Sequence, residues 1–168
     1  MVLHQIDSLQ HCSLRIVEAM QPRIEVNATV FHQRDMLLVN AALTHQMLAD
    51  NPCRYDMYPD CRDFMCGAPV EWDDTKVLSA KLGEYYVVAK RSGDEWYIAG
   101  LNNSTARDVT VDLSFLGNGR KWTMSSFTDG PVADRIAMDY RYNESEVDAA
   151  QSITIHMTRN GGFAAKLK

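Results

Sequence analysis

Short runs in which apolar and polar residues alternate follow one another from residue 69 to the end of the chain. This period of two is typical of antiparallel strands that bury one face. Glycine-containing segments between the runs predict tight hairpins at residues 92–94, 116–119 and 160–162. Because an open sheet would leave an apolar face in water, the pattern predicts a mainly β, antiparallel two-sheet β-sandwich. Its seven predicted strands lie near residues 75–81, 84–91, 95–102, 107–114, 120–127, 152–158 and 162–167.

The first third of the chain has a different pattern and is predicted to be partly helical. Apolar residues from Ile6 to Met20 recur at helical spacing, and Pro22 ends that run. Residues 36–49 are apolar on almost every side, which is typical of a segment buried within a larger body. Without that body the segment is expected to associate with another copy. We therefore expect two parts, a helical segment over 1–67 and a β-sandwich domain over 68–168.

The polar stretch 131–150 lies between the fifth and sixth predicted strands and is expected to form a long surface connection. Its charged residues are Asp134, Arg135, Asp139, Arg141, Glu144, Glu146 and Asp148.

Charge and hydropathy exclude several classes of partner. The net charge is −5 and no cluster of Lys or Arg is present, so no nucleic acid partner is expected. No apolar run approaches the roughly 20 residues that span a bilayer, so no membrane span is expected. The N-terminus has no basic stretch followed by an apolar run, which predicts that a signal peptide is absent. We expect that the chain begins partway through a longer protein.

The spacing of the histidines and cysteines does not indicate a metal site. The chain has five histidines and four cysteines, and no pair of cysteines has the two-residue spacing of a structural zinc site. Free or buried thiols are the favoured interpretation. A disulfide among Cys53, Cys61 and Cys66 is the alternative if the protein matures in an oxidising compartment.

Several short segments stand in a fixed order between residues 46 and 168, and together they resemble the C-terminal region of glycoside hydrolase family 97. The resemblance begins with the segment 46–52 and Tyr55, which are similar to the end of the family's catalytic (β/α)8 barrel. It continues through Cys61-Arg62-Asp63-Phe64, Trp72-Asp73-Asp74-Thr75, Ala89-Lys90-Arg91, Trp96-Tyr97-Ile98-Ala99-Gly100, Thr105-Ala106-Arg107-Asp108, Leu113-Ser114-Phe115-Leu116, Asp129-Gly130, Asp139-Tyr140 and Gly161-Gly162-Phe163.

This resemblance implies a function for the protein from which the chain comes. The family implies a calcium-dependent hydrolase of α-glucosides or α-galactosides, exported or periplasmic in bacteria that degrade glycans. Its catalytic carboxylates and calcium ligands precede the matched stretch, so no catalytic residue, metal ligand or cofactor is expected in this chain itself. The chain is expected to be a C-terminal, non-catalytic region that packs against the catalytic barrel and oligomerises. If residues 44–49 form the last barrel strand, Asp50 would lie near the sugar pocket, because barrel active sites lie at the C-terminal ends of the strands.

Two groups of side chains offer alternatives to this interpretation. Glycoside hydrolysis needs two carboxylates about 5–5.5 Å or about 6.5–9.5 Å apart, but the acids between residues 50 and 74 are irregularly spaced and are predicted to be loop acids. Trp72, Trp96 and Trp122 would form a sugar-stacking platform in an autonomous carbohydrate-binding module for an α-glucan or oligosaccharide, although core packing is favoured. A small homo-associating interaction domain is the third alternative.

Overall fold

The computed structural model describes residues 52–168, apart from residues 118 and 137. The predicted Asp50 and the apolar segment 36–49 therefore lie outside the described residues. Two short helices precede eight strands in the described part of the chain. They are α1 (Pro52–Asp56), α2 (Pro59–Gly67), β1 (Asp74–Lys81), β2 (Tyr85–Ser92), β3 (Glu95–Asn102), β4 (Arg107–Asp112), β5 (Trp122–Asp129), β6 (Tyr140–Val147), β7 (Ser152–Met157) and β8 (Gly162–Leu167), with a 3-10 turn at Ser114–Leu116.

The strands form a large and a small antiparallel sheet. The large sheet has six strands in the order β1-β2-β3-β8-β5-β6, and the small sheet pairs β4 with β7. The chain enters the small sheet after β3 and again after β6, which places β8 between β3 and β5 in the large sheet. The mainly β, two-sheet fold class predicted from the alternating pattern is confirmed.

The inner core fills the space between the two sheets. Alternate residues of β3 point to opposite faces, so Trp96 and Ile98 lie in this core while Tyr97 and Ala99 lie on the other face. The small sheet contributes apolar side chains from both of its strands. The most buried inner-core members include Val87, Ile98, Val111, Leu113, Ile155, Met157 and Leu167.

The outer face of the large sheet carries a second core, formed with α1 and α2. Tyr55 comes from α1, and Cys61, Phe64 and Met65 come from α2. The sheet supplies Val88, Tyr97, Ala99, Phe127 and Ala164. Pro59 suits the start of α2 because the first helical N–H groups have no acceptor within the helix. The large sheet is thus covered on one face by the small sheet and on the other by a helix pair.

One predicted loop is in fact a strand. Residues 140–147 form β6, which pairs with β5 from Trp122↔Val147 to Asp129↔Tyr140, so the prediction of a surface connection over all of 131–150 was wrong. β6 is an edge strand and Val147 is its one buried residue. Charged side chains on an edge strand are a common protection against unwanted pairing, and they remove the alternation by which a strand is recognised.

The three predicted hairpins have different outcomes. The prediction at 116–119 was wrong, because that segment joins β4 to β5, which belong to different sheets. Gly93, with φ 58°, joins β2 to β3 in a two-residue hairpin turn, as predicted. The turn at residues 158–161 uses the positive φ of Asn160 but joins β7 to β8, which belong to different sheets. The prediction of a hairpin there was wrong. Turn-forming residues indicate that the chain changes direction, but they do not determine the sheet to which the next strand belongs.

Candidate functional site

The N-terminal end of α2 is tied to β6 by a phenol–carboxylate contact. The Tyr140 hydroxyl lies 2.8 Å and 3.0 Å from the two carboxylate oxygens of Asp60, to which it donates. Cys61, next along α2, is a buried free thiol that is 2% exposed. Burial raises the pKa of the Cys61 thiol to about 11, so it is protonated and unreactive at neutral pH. No sequence pattern indicates this contact, since Asp60 and Tyr140 are 80 residues apart.

Aromatic rings fill the middle of the helix-covered face. Phe64 of α2 packs edge-on against Tyr97, with ring centroids 6.1 Å apart, and against Phe127, with ring centroids 5.2 Å apart. Such tilted pairs add to the energy of simple apolar burial. Phe64 therefore connects the helix pair to the centre of the large sheet.

A row of polar residues crosses the other end of the same face. Lys90 on β2 pairs in register with Tyr97 on β3, which pairs with Lys166 on β8. Glu95 bonds two of these residues: its Oε2 lies 2.8 Å from Lys166 Nζ and accepts from the Tyr97 hydroxyl at 3.0 Å. Trp72, in the segment after α2, packs edge-on against Tyr97 and beneath Lys90 Nζ, which is 5.4 Å from its ring centroid.

A buried carboxylate joins the two sheets at the end of β5. Asp129 Oδ2 accepts bonds from Thr158 N at 2.7 Å, from Thr158 Oγ1 at 3.0 Å and from Gly162 N at 3.2 Å. Next to it, Gly130 N donates to the carbonyl of Asp139 at 2.9 Å. The segments Asp129-Gly130, Asp139-Tyr140 and Gly161-Gly162 of the sequence pattern thus meet in one structural network.

Four of the acids considered as catalytic candidates make structural bonds to nearby groups. Arg62 pairs with Asp56 and with Asp63, each at 2.8 Å. Asp73 Oδ2 accepts from Gly93 N at 2.7 Å, and Asp74 accepts from Thr75 N at 2.8 Å. The Asp73 contact ties the segment before β1 to the β2–β3 turn, and the Asp74 contact lies at the start of β1.

The three tryptophans do not share one surface. Trp96 and Trp122 lie in the inner core and are each 5% exposed. Trp96 packs against Phe115, and the Arg120 guanidinium lies 4.1 Å from the centroid of Trp122. Trp72 is half-buried on the opposite, helix-covered face. A role for any of them in sugar stacking stays a prediction.

An open apolar cavity of about 460 Å³ lies at the turn between β1 and β2. Leu82 at the tip of this turn is fully exposed, while Tyr86 and Leu101 line the cavity and are partly buried. Apolar surface is therefore exposed to solvent at the β1–β2 turn.

The described residues offer no metal centre. Within residues 52–168, positions 118 and 137 aside, no group of three or more His, Cys, Asp or Glu side chains is placed to hold a metal ion. They do not fit the calcium implied by the family resemblance. α1 and α2, with five and nine residues, have neither the length nor the hydropathy that a membrane crossing requires.

Comparison with known proteins first defines the class. The fold is similar to that of a glycoside hydrolase family 97 enzyme from a Pseudoalteromonas species, solved in complex with panose, with a TM-score of 0.76 and 27% identity over 80% of this chain and 22% of that one. The chain thus has the fold of a β-sandwich region found in a glycoside hydrolase.

Sequence comparison then gives the family. Residues 71–168 match the family model described as "Glycosyl-hydrolase 97 C-terminal, oligomerisation". The chain is 38% identical over 122 residues to a retaining alpha-galactosidase of Bacteroides thetaiotaomicron, and 34% identical over 120 residues to a probable retaining alpha-galactosidase of Streptomyces bingchenggensis. These matches cover 73% and 71% of the chain.

The chain belongs to glycoside hydrolase family 97 and carries its C-terminal oligomerisation domain, which has a non-catalytic role. The resemblance and the function predicted from residues 46–168 are confirmed at this level. The chain spans 18% of the length of each of the two curated relatives.

Proposed function

We propose that the chain is the assembly domain of an α-galactoside hydrolase, joining copies to one another and supporting a catalytic barrel of the same polypeptide. The match to a C-terminal oligomerisation domain carries this proposal. The two curated relatives described above are named as a retaining and a probable retaining alpha-galactosidase, which favours α-galactosides over α-glucosides. The helix pair follows the segment 46–52, whose sequence resembles the end of the family's barrel, and this order supports a barrel contact on the helix-covered side.

The surface around the β1–β2 turn is the best-supported contact between copies. A fully exposed leucine, Leu82, stands next to an apolar cavity lined by Tyr86 and Leu101. In a two-fold symmetric dimer the same patch meets itself, so Leu82 of each copy would enter the cavity of the other. Removal of these apolar surfaces from water would favour association.

A domain exchange tests the assembly role. The region of the Bacteroides α-galactosidase that aligns with this chain is replaced by residues 46–168, and a second version is truncated at the same point. We expect the chimera to retain the oligomeric state and aryl α-galactoside hydrolysis of the intact enzyme, and the truncated version to lose the oligomer. A truncated enzyme that keeps the native oligomer would contradict the assembly role.

The chain alone provides the matched activity test. We expect purified chain to hydrolyse neither aryl α-galactosides nor aryl α-glucosides above the buffer rate, because no catalytic carboxylate of the family maps onto its sequence. Turnover at an enzyme-like rate, roughly 1 s⁻¹ or faster, would contradict the non-catalytic role.

A further inference from the structure

Exposed apolar side chains gather at one corner of the large sheet, where the β5–β6 connection meets the turn between α1 and α2. The contact that joins the two segments is made by Tyr58, whose hydroxyl lies 3.8 Å from Met138 Sδ and whose ring centroid lies 6.2 Å from that of Tyr140. Four of the large apolar side chains exposed in the described part of the chain lie in these segments and near the start of β6: Met57, Val132, Ile136 and Tyr142. We refer to these four residues, with Tyr58 and Met138, as the corner surface.

The β5–β6 connection holds its part of the corner surface in one ordered arrangement. Val132 N donates to Asp139 Oδ2 at 2.7 Å, and Ile136 N donates to the carbonyl of Val132 at 2.8 Å. Ala133, which follows Val132, is 4% exposed and anchors the connection. Since these contacts already fix the backbone, covering Val132 and Ile136 would cost little conformational entropy.

Paired charges border the corner surface. Arg62 on α2 pairs with Asp56 and with Asp63, each at 2.8 Å. In the β5–β6 connection, Arg135 Nε lies 3.8 Å from Asp134 Oδ2. An apolar centre with a polar rim is the usual anatomy of a protein interface, so the corner surface has the chemistry of a protein contact.

We propose that the corner surface packs against the catalytic barrel of the same polypeptide, an inference that rests on the proposed function. Polypeptide that precedes the domain enters it at α1, which ends at Asp56, directly before Met57. The matched region is 18% of the length of each curated relative, and the family model is described as C-terminal. In a polypeptide of that kind, the preceding domains are tethered beside the corner surface.

The size of the corner surface favours a tethered occupant over a second copy. Its four exposed side chains offer only a few hundred Å² of apolar area, whereas a complex formed from solution buries roughly 800 Å² on each partner. A short tether supplies an effective concentration on the order of millimolar, at which a small contact is sufficient. The contact proposed between copies is at Leu82, beside the β1 edge of the sheet, and β6 forms the opposite edge.

Hydroxyl-radical labelling, measured by mass spectrometry, tests the inference by comparing the full chain alone with the active Bacteroides chimera described above. Labelling of Met57, Ile136 and Tyr142 should fall several-fold in the chimera, because the barrel would exclude water from these side chains. Val77 is the matched control, since it is 58% exposed, as is Ile136, but lies on β1 at the other edge of the sheet. Its labelling should not change.

Three results would overturn the inference. The first is an active chimera in which Met57 and Ile136 are labelled as strongly as in the chain alone. That result would leave the assembly role intact, because the oligomeric state of the truncated enzyme tests that role separately. The second is a fall in labelling within the chain alone as its concentration is raised, which would assign the corner surface to a second copy. The third is a chimera that is inactive both in the Bacteroides enzyme and in the Streptomyces relative, since the corner surface would then fit neither catalytic domain.

Discussion

At the scale of single residues, the end of β5 depends on a glycine next to a buried carboxylate. A Cβ at Gly161 would overlap Asp129 Oδ2 and lie 2.6 Å from Thr158 Oγ1. Gly161 has no Cβ and therefore leaves room for the Asp129 carboxylate. This room allows Asp129 to accept three hydrogen bonds from the β7–β8 turn and the start of β8.

Gly161→Ala is expected to lower the free energy of unfolding by roughly 2–3 kcal/mol, since it overpacks this network and displaces hydrogen bonds to a buried charge. Urea denaturation measures the change. Gly67→Ala is the matched control, because a Cβ there meets nothing within 4 Å, and the expected change is below about 0.5 kcal/mol. Equal effects of the two substitutions would contradict the steric explanation.

The buried Cys61 predicts a loss of stability at alkaline pH. Its folded pKa of about 11 lies above the ordinary value of 9.0, so the unfolded chain loses its thiol proton first as the pH rises. The stability contributed by the protonated thiol is complete below about pH 9 and is lost between about pH 9 and pH 11, up to about 2–3 kcal/mol. The urea midpoint is measured at about pH 8 and at about pH 10.5 for both chains. Its fall between these two pH values should be larger in the parent chain than in Cys61→Ala. Equal falls in the two chains would show that Cys61 does not contribute to the loss of stability at alkaline pH.

At the scale of secondary-structure elements, the helix pair and the large sheet form a single packed unit. Phe64 reaches Tyr97 and Phe127, while Asp60 receives the hydroxyl of Tyr140. Two helices of five and nine residues are too short to be stable alone in water, so their order depends on these contacts with the sheet.

Phe64→Ala is expected to release α1 and α2 from the sheet, with a cost of roughly 3–5 kcal/mol for the lost packing. Hydrogen exchange should show faster exchange in residues 52–67 and smaller changes in β3 and β8. Met57→Ala is the control, since Met57 is 66% exposed and its removal should leave exchange unchanged. Unchanged protection of α2 in Phe64→Ala would mean that other contacts hold the helix pair.

At the scale of the whole molecule, the exposed apolar surface is the basis of the proposed contact between copies. Leu82 and its neighbouring cavity lie at one end of the large sheet, whereas Ile136, another exposed apolar residue, lies in the connection between β5 and β6. Substitutions at the two positions therefore distinguish a specific contact at the β1–β2 turn from nonspecific hydrophobic association.

Leu82→Asp is expected to weaken self-association at least tenfold, about 1.4 kcal/mol, because it places a charge in an apolar contact. Sedimentation equilibrium over a roughly hundredfold range of concentration measures the association constant. Ile136→Asp, at a residue that is 58% exposed, should leave the constant unchanged. An equal loss in both variants would point to net charge rather than to the β1–β2 turn.

Local patterning in the sequence accounts for most of the strands. Alternation in β3 assigned Trp96 and Tyr97 to opposite faces, and Gly93 marked the β2–β3 turn, because these signals depend on residues adjacent in the chain. The edge strand β6 escaped detection because most of its side chains are exposed on both faces, so its residues do not alternate between apolar and polar. The family followed from an ordered series of short motifs, which local composition alone would not have given.

How distant segments meet depends on the tertiary structure. The contacts of Tyr140 with Asp60, of Asp129 with Thr158, and of Lys90 with Trp72 join residues that no periodicity relates. The amino-acid pattern is enough to tell which side chains face inward along a strand such as β3, since the strand period is a local property of the backbone. The choice of sheet, and hence of neighbours, depended on how all strands and helices together bury their apolar surface.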